Sequence, residues 1–404
     1  MELLAITNAR IVSAGTPAAD PTTILAVDGE IANIDANAEI PAAARVVDAA
    51  GRSVLPGLTD AHCHAYGISM SLEEIEHSPL SYVALKAAHR LGRALRRGFT
   101  TIRDVAGGDA GLARAIREGL LPTPRYLYTG AALSQTGGHG DGRHPDYDAD
   151  AHCGCSTTVV DGVDQVLRTV RENFRRGATA IKLLTSGGVI SESDPLKMPQ
   201  YSAEEVRAAT YEADRRGSYV AAHAYSPEAI IHSVSNGVRT IEHGNLLDQV
   251  SAEVMAAAHA YLVPTLIAYD AMDRRGDQVG LTKFGRHKNS AVLMQGKDAI
   301  RIARAHGIPI GFGSDLMGDL EDEQLGGLRL QAEVEGVERA IEAATMTNAE
   351  IFQRPDLGRV QRGCVADLLI LDGDVLATPD ILWEESHPRT VIQAGRVVHD
   401  GLRV

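Results

Sequence analysis

Gly217-Ser218-Tyr219-Val220-Ala221-Ala222-His223 and Gly237-Val238-Arg239-Thr240-Ile241-Glu242-His243 are two copies of one local design. A polar–apolar stretch ends in a glycine, a short β-rich run follows at once, and a histidine closes the run. Glycine suits the position after a helix, where left-handed φ meets no Cβ clash. The runs are apolar and rich in β-formers, as parallel strands buried on both faces are. The same switch recurs at Gly98 before Phe99 to Asp104, Gly177 before Ala178 to Leu184, and Gly307 before Ile308 to Gly313. Ser53 to Leu58, Arg125 to Thr129 and Tyr261 to Leu266 bring the count to eight strands. Helical patterning lies between most of them, at 82–97, 160–176, 203–216, 227–236 and 290–306. Eight strand-then-helix units over roughly 300 residues predict an α/β chain with a TIM-like (β/α)₈ barrel. A doubly wound sheet is disfavoured, since no Gly-rich fingerprint follows the first strand.

The ends of the chain read differently. Leu3 to Ile6, Ala9 to Val12 and Thr23 to Val27 before Asp28-Gly29 are short strands with turns, and Ala366 to Leu371 and Arg389 to Gln393 are alike. The expectation is a small composite β-sandwich from residues 1–56 and 362–404, with the barrel, residues 57–361, inserted between. The full length of 404 residues accommodates both. Lys+Arg 39 against Asp+Glu 53 leaves a net charge of −14, and no basic run offsets it, which argues against a nucleic-acid partner. No apolar stretch approaches the ~20 residues that span a bilayer, so no membrane partner is expected. Four cysteines are too few for a disulfide scaffold. With no basic or long apolar leader at Met1 to Ala5, a cytoplasmic setting is expected, although a trimmed leader reads the same.

In a parallel barrel the C-terminal strand ends converge on the face that carries the chemistry. His62-Cys63-His64 stands there, and histidines at i and i+2 of an extended segment point to one side and reach one metal ion. An HxH among 15 histidines is weak alone. His223, His243 and Asp315, in Gly313-Ser314-Asp315, close three further strands, and the grouping predicts a metal site on this rim. Lys182 lies within a strand, between Ile181 and Leu183, so its ammonium points into the barrel and is costly unless paired. Either a buried carboxylate bridges it, or it reacts with CO₂ to a carbamate that binds metal as a carboxylate does.

Thr59 to His64, Ala180-Ile181-Lys182, Ala222 to Tyr225, Ile241 to Gly244 and Gly313 to Asp315 together resemble the signature segments of the amidohydrolase superfamily. The resemblance covers nearly the whole chain, including the Pro56-Gly57-Leu58 opening of the barrel. It implies two divalent ions, usually zinc. His62 and His64 would hold the first, His223 and His243 the second, and carboxylated Lys182 would bridge them. Asp315 would bind the first ion and serve as general acid/base on the bridging hydroxide. Two cations ~3.5–4 Å apart lower the pKa of a shared water and polarise a carbonyl. Deaminase-like members place a glutamate three residues after the histidine of the fifth strand; here Ser226 stands there, which favours amide hydrolysis.

Thr100 to Val105, Ser134 to Asp141 and Lys182 to Val189 resemble the branch of prolidase-like dipeptidases and ochratoxinase-like amidases. That branch implies His139 near the scissile carbonyl and Tyr225 against the substrate carboxylate. It also implies a homo-oligomer. The expected activity is hydrolysis of the amide to a C-terminal amino acid, in a dipeptide, an N-acyl amino acid or an ochratoxin-like conjugate. The alternative turns the same centre on cyclic amides, lactones or phosphotriesters. A scaffold that lost its chemistry is disfavoured, because no ligand or acid is missing. Arg103 and Asp104 read equally well as an ion pair beneath the site. Cys63 is expected to point away into packing, Cys153 and Cys155 to be free thiols, and Trp383 to pack in the terminal domain. The segments 67–79 and 268–290 are the expected specificity loops.

Overall fold

The two ends of the chain meet in one sheet. The computed structural model describes residues 2–13, 21–143, 156–191 and 194–403. Leu3–Ile11, Thr22–Val27, Glu30–Asp35, Arg45–Asp48 and Ser53–Pro56 share a mixed eight-stranded sheet with Leu368–Leu371, Arg389–Gln393 and Arg396–Asp400. Ser53–Pro56 is the junction, parallel to Leu3–Ile11 and antiparallel to Leu368–Leu371. Asp28 and Gly29 both have positive φ, which gives the two-residue hairpin its twist. Leu4, Ile6, Ile24, Ile31, Val54, Ile370 and Ile392 form an aliphatic core within this sheet.

The expected strand Ser53 to Leu58 is in fact divided. It ends at Pro56, and at Gly57 the chain leaves the terminal sheet, with Gly57 N–H donating to Asp367 O at 2.8 Å. A Cβ at Gly57 would overlap the Thr100 side chain, so the crossing demands glycine. Leu58 N–H then donates to Gly98 O, and Leu58–Cys63 opens the parallel strands.

Those strands form two ladders in a mixed α/β fold. Leu58–Cys63, Phe99–Asp104 and Arg125–Tyr128 make the first. Thr157–Val159, Ala132–Ser134, Ile181–Leu184, Val220–Ala224, Thr240–His243 and Tyr261–Val263 make the second. Backbone bonds cross the seams between them: Thr179 N–H to Tyr128 O (2.8 Å), Gly311 N–H to Leu262 O (2.8 Å) and Ala61 N–H to Phe312 O (2.9 Å). The expected strand 308–313 makes one bridge, Ile310 with Leu262. Pro309 has no N–H and Phe312 gives its own to Asn348 Oδ1, so no regular ladder develops there.

Helices Leu80–Arg96, Val163–Arg175, Ala203–Asp214 and Pro227–Ser235 lie close to their expected places. The segment 268–290 is not the loop that was expected. It holds most of helix Leu266–Arg275 and the start of helix Lys283–Ala305. Leu266, Tyr269 and Met272, spaced three apart, are buried along one face of the first, and Thr282 caps the second by accepting from Gly285 N–H. The segment 67–79 likewise contains helix Leu72–His77. Among the described residues no helix is long and apolar enough to cross a membrane.

Candidate metal centre

His62 sits within Leu58–Cys63, His64 just beyond it, His223 in Val220–Ala224, and His243 at the end of Thr240–His243. Asp315 follows the 308–313 segment. His243 and Asp315 both adopt left-handed backbone, φ 74° and 53°, a strained conformation for residues bearing a Cβ. One ligand atom each from His62, His243 and Asp315 falls within 4.8 Å of the others. Asp315 Oδ1 lies 2.9 Å from His64 Nε2 and 3.4 Å from His62 Nε2, and Oδ2 lies 3.7 Å from His243 Nδ1. The His223 ring is 4.5 Å from that of His243. Burial alone would raise the Asp315 carboxyl; the surrounding histidines outweigh it and hold the group well below the usual carboxylate range. Burial also pushes His223 and His243 well below the ordinary imidazole pKa, leaving them neutral.

Buried partners on the neighbouring strands set the orientation of these ligands. Glu242 Oε2 lies 2.7 Å from His62 Nδ1, and Arg103 Nη2 donates to Glu242 Oε1 at 2.7 Å. Burial raises the Glu242 carboxyl, but Arg103 and His62 more than reverse this and keep it ionised. An ionised carboxylate only accepts, so His62 Nδ1 carries a proton toward Glu242, and Nε2 is the atom turned to the centre. Nε2 faces the Asp315 carboxylate at 3.4 Å, so nitrogen and oxygen are placed to share one proton or one metal ion. His223 Nε2 lies 3.1 Å from Gly187 O, another pure acceptor, which leaves its Nδ1 as the free ligand atom. The donor set fits divalent metal.

Arg103 is therefore not paired with Asp104, as one reading had it. Alternate strand residues point to opposite sides: Arg103 goes to Glu242 and to Ala61 O, and Asp104 accepts from Tyr126 OH and the N–H groups of Ala65 and Ala106. Sequence reasoning missed Glu242, although its place beside His243 on a strand end was a usable signal. It also missed Tyr269, whose hydroxyl is 2.7 Å from His243 Nδ1 and 2.8 Å from Tyr225 OH, because that residue fell in an expected loop.

Lys182 is buried, and among the described residues no carboxylate lies within 4 Å of its Nζ, so the bridging-carboxylate reading is not realised. Burial lowers its pKa to about 8. His139 stacks on His223 at 4.4 Å between centroids, and Tyr225 stacks on His243 at 4.9 Å. All eight expected site residues, His62, His64, His139, Lys182, His223, Tyr225, His243 and Asp315, line one cavity of about 110 Å³. Cys63 is turned into a cluster with Ala65, Tyr66 and Leu91, and Trp383 packs against the core shared with the terminal sheet. Cys153 and Cys155 lie outside the described residues.

A rim of histidines and an aspartate able to hold metal, on parallel strands beside a sheet made from both chain ends, defines a class, and residues 53–398 match the amidohydrolase family. The chain belongs to that family of hydrolytic enzymes, in its prolidase-like and ochratoxinase-like branch. Ochratoxinase of Aspergillus niger is 31% identical over 375 residues, covering 85% of this chain and 75% of its own. The crystal structure of a prolidase complexed with N-methylphosphonate-L-proline superposes with a TM-score of 0.95 at 35% identity, covering 98% of this chain and 100% of that one. A structure described as an amidohydrolase gives 0.95 at 39% identity, over 99% of this chain and 100% of that one.

Proposed function

We propose that the chain hydrolyses the amide joining an apolar acyl group, or an apolar residue, to a C-terminal amino acid. In this reading the parallel ladders act as one (β/α)₈ barrel, residues 57–361, inserted into a terminal β-domain from 1–56 and 362–404. His62, His64, His223, His243 and Asp315 would hold two divalent ions, zinc by their nitrogen-rich chemistry, with carboxylated Lys182 between them. When bound, such ions polarise the amide carbonyl and lower the pKa of water. The observation that carries the reading is Lys182: a buried lysine with no carboxylate within 4 Å among the described residues, lining one cavity with five histidines and Asp315. With its pKa lowered to about 8, a usable fraction is the neutral amine that CO₂ requires.

The side chains divide the remaining work. Asp315, held ionised, takes a proton from the attacking water and delivers it to the leaving nitrogen. His139 faces the reacting carbonyl, and Tyr225, joined to Tyr269, faces the carboxylate of the departing amino acid. Met70, Met272, Met317 and Leu320 are among the other residues lining the cavity, an adaptable apolar wall suited to the acyl group. A panel at fixed zinc tests this: N-acyl amino acids, Xaa-Pro dipeptides and an ochratoxin-like amide against cyclic amides, lactones and phosphotriesters. Turnover of the first group, abolished by chelator and restored by zinc, is expected. Turnover confined to compounds without a free carboxylate overturns the reading.

A further inference from the structure

We propose that Lys288 is a positioning residue for the reaction, acting through the loop that holds His139; this rests on His139 facing the reacting carbonyl. Lys288 projects from helix Lys283–Ala305 and its side chain is only 7% exposed. Its Nζ donates to Gly188 O at 2.9 Å, Ser191 O at 2.7 Å and Asp194 O at 2.8 Å. An ammonium has three N–H donors, and here three carbonyls of one loop meet them. Asp194 Oδ1, 3.8 Å away, offsets the buried charge.

Each of those three residues also bears on His139. Gly188 lies so close that a Cβ would overlap the His139 ring. Ser191 Oγ is 2.8 Å from His139 Nδ1 and donates in turn to Asp194 Oδ1. Asp194 Oδ2, 3.6 Å from the same nitrogen, accepts from Gln200 Nε2, while Gln200 Oε1 accepts the His139 backbone N–H at 3.0 Å. Lys288 itself does not line the cavity. It fastens the cradle from behind, joining the helix to the loop after Ile181–Leu184. Misplacing a reacting group by about 1 Å costs on the order of 100-fold in rate, so loosening this fastening acts on turnover.

The test compares K288M, K288Q, H139A and the H139A/K288M double variant as zinc-loaded enzymes on the best substrate of the panel above. Melting temperature and metal content are measured alongside, and K288Q stands in should K288M not fold. The expected result is a kcat lowered about tenfold or more in the folded lysine variant, with KM within about threefold and metal content unchanged. The double variant falls no further than H139A alone, since the lysine acts only through that histidine. A folded Lys288 variant with wild-type kcat, or one whose loss adds in full to that of H139A, overturns the proposal while leaving the reading of His139 standing. Wild-type kcat in H139A overturns both.

Discussion

The terminal sheet and the metal rim handle burial in opposite ways. In the sheet the buried set is aliphatic, Ile6, Ile24, Ile31, Val54, Ile370 and Ile392 among it, and each member stabilises the fold by leaving water. At the rim Asp60, His62, Arg103, Lys182 and Glu242 are buried nearly completely. Taking them from water is costly, and only their mutual contacts offset that cost. The sheet can therefore be weakened without touching the chemistry. The rim cannot be made greasier, and so more stable, without losing its ligands or their supports.

The sharpest test of that division is Asp315→Asn. On the proposed reading it removes the proton acceptor and one metal ligand while keeping shape, so amide hydrolysis should fall about 10³-fold. Thermal unfolding of the metal-free protein should move downward at neutral pH, because the histidines that hold the Asp315 carboxyl down lose their anionic partner. A variant that keeps activity within tenfold breaks the assignment of the rim as the reacting region.

Glu242→Gln and Ile370→Ala place the two regions side by side. The first leaves the Arg103 guanidinium without its charge partner inside the strands and deprives His62 Nδ1 of its anionic acceptor. Unfolding in urea should show a loss of about 3–5 kcal/mol, together with a 10- to 100-fold weaker hold on zinc. The second truncates a fully buried side chain of the terminal sheet and should cost about 2–4 kcal/mol, with kcat and zinc affinity unchanged in the folded fraction. If Ile370→Ala lowers kcat as strongly as Glu242→Gln does, the separation between the regions is false.

The same division explains what could be read from the chain. The candidate ligands that line one cavity were legible because a glycine before a run and a histidine at its end, as in 217–223 and 237–243, are local signals. Their supports were not. The contact of Glu242 with His62 spans 180 positions, and nothing local marks either as the other's partner. The expected domain boundary fell at Pro56-Gly57, but the break in the strand there was not legible, because an uninterrupted apolar run from Ser53 to Leu58 serves two sheets in turn. Helix Leu266–Arg275 was missed because Tyr261 to Leu266 was given wholly to a strand, whereas the strand ends at Val263 and Leu266 begins the helix. Apolar residues at such a boundary fit either element, and tertiary packing decides.

The weakest expected effect concerns the loop that joins the rim to its surroundings. Asp141 accepts hydrogen bonds from Arg143 and from Gly137 N–H, so it braces the turn around His139. Its carboxyl is held down at about 2, chiefly by the Arg143 hydrogen bonds, from an ordinary value of 3.8. A carboxyl depressed in the fold lends stability above its unfolded pKa and loses it as pH falls from about 4 to about 2. The pair is partly exposed and screened by solvent, so the whole contribution is below about 1 kcal/mol. Urea titrations at pH 5 and pH 3 should therefore show Asp141→Asn costing slightly more at the higher pH, the gap closing at the lower one. A gap that widens with acid would mean that the turn is held by something other than this carboxylate.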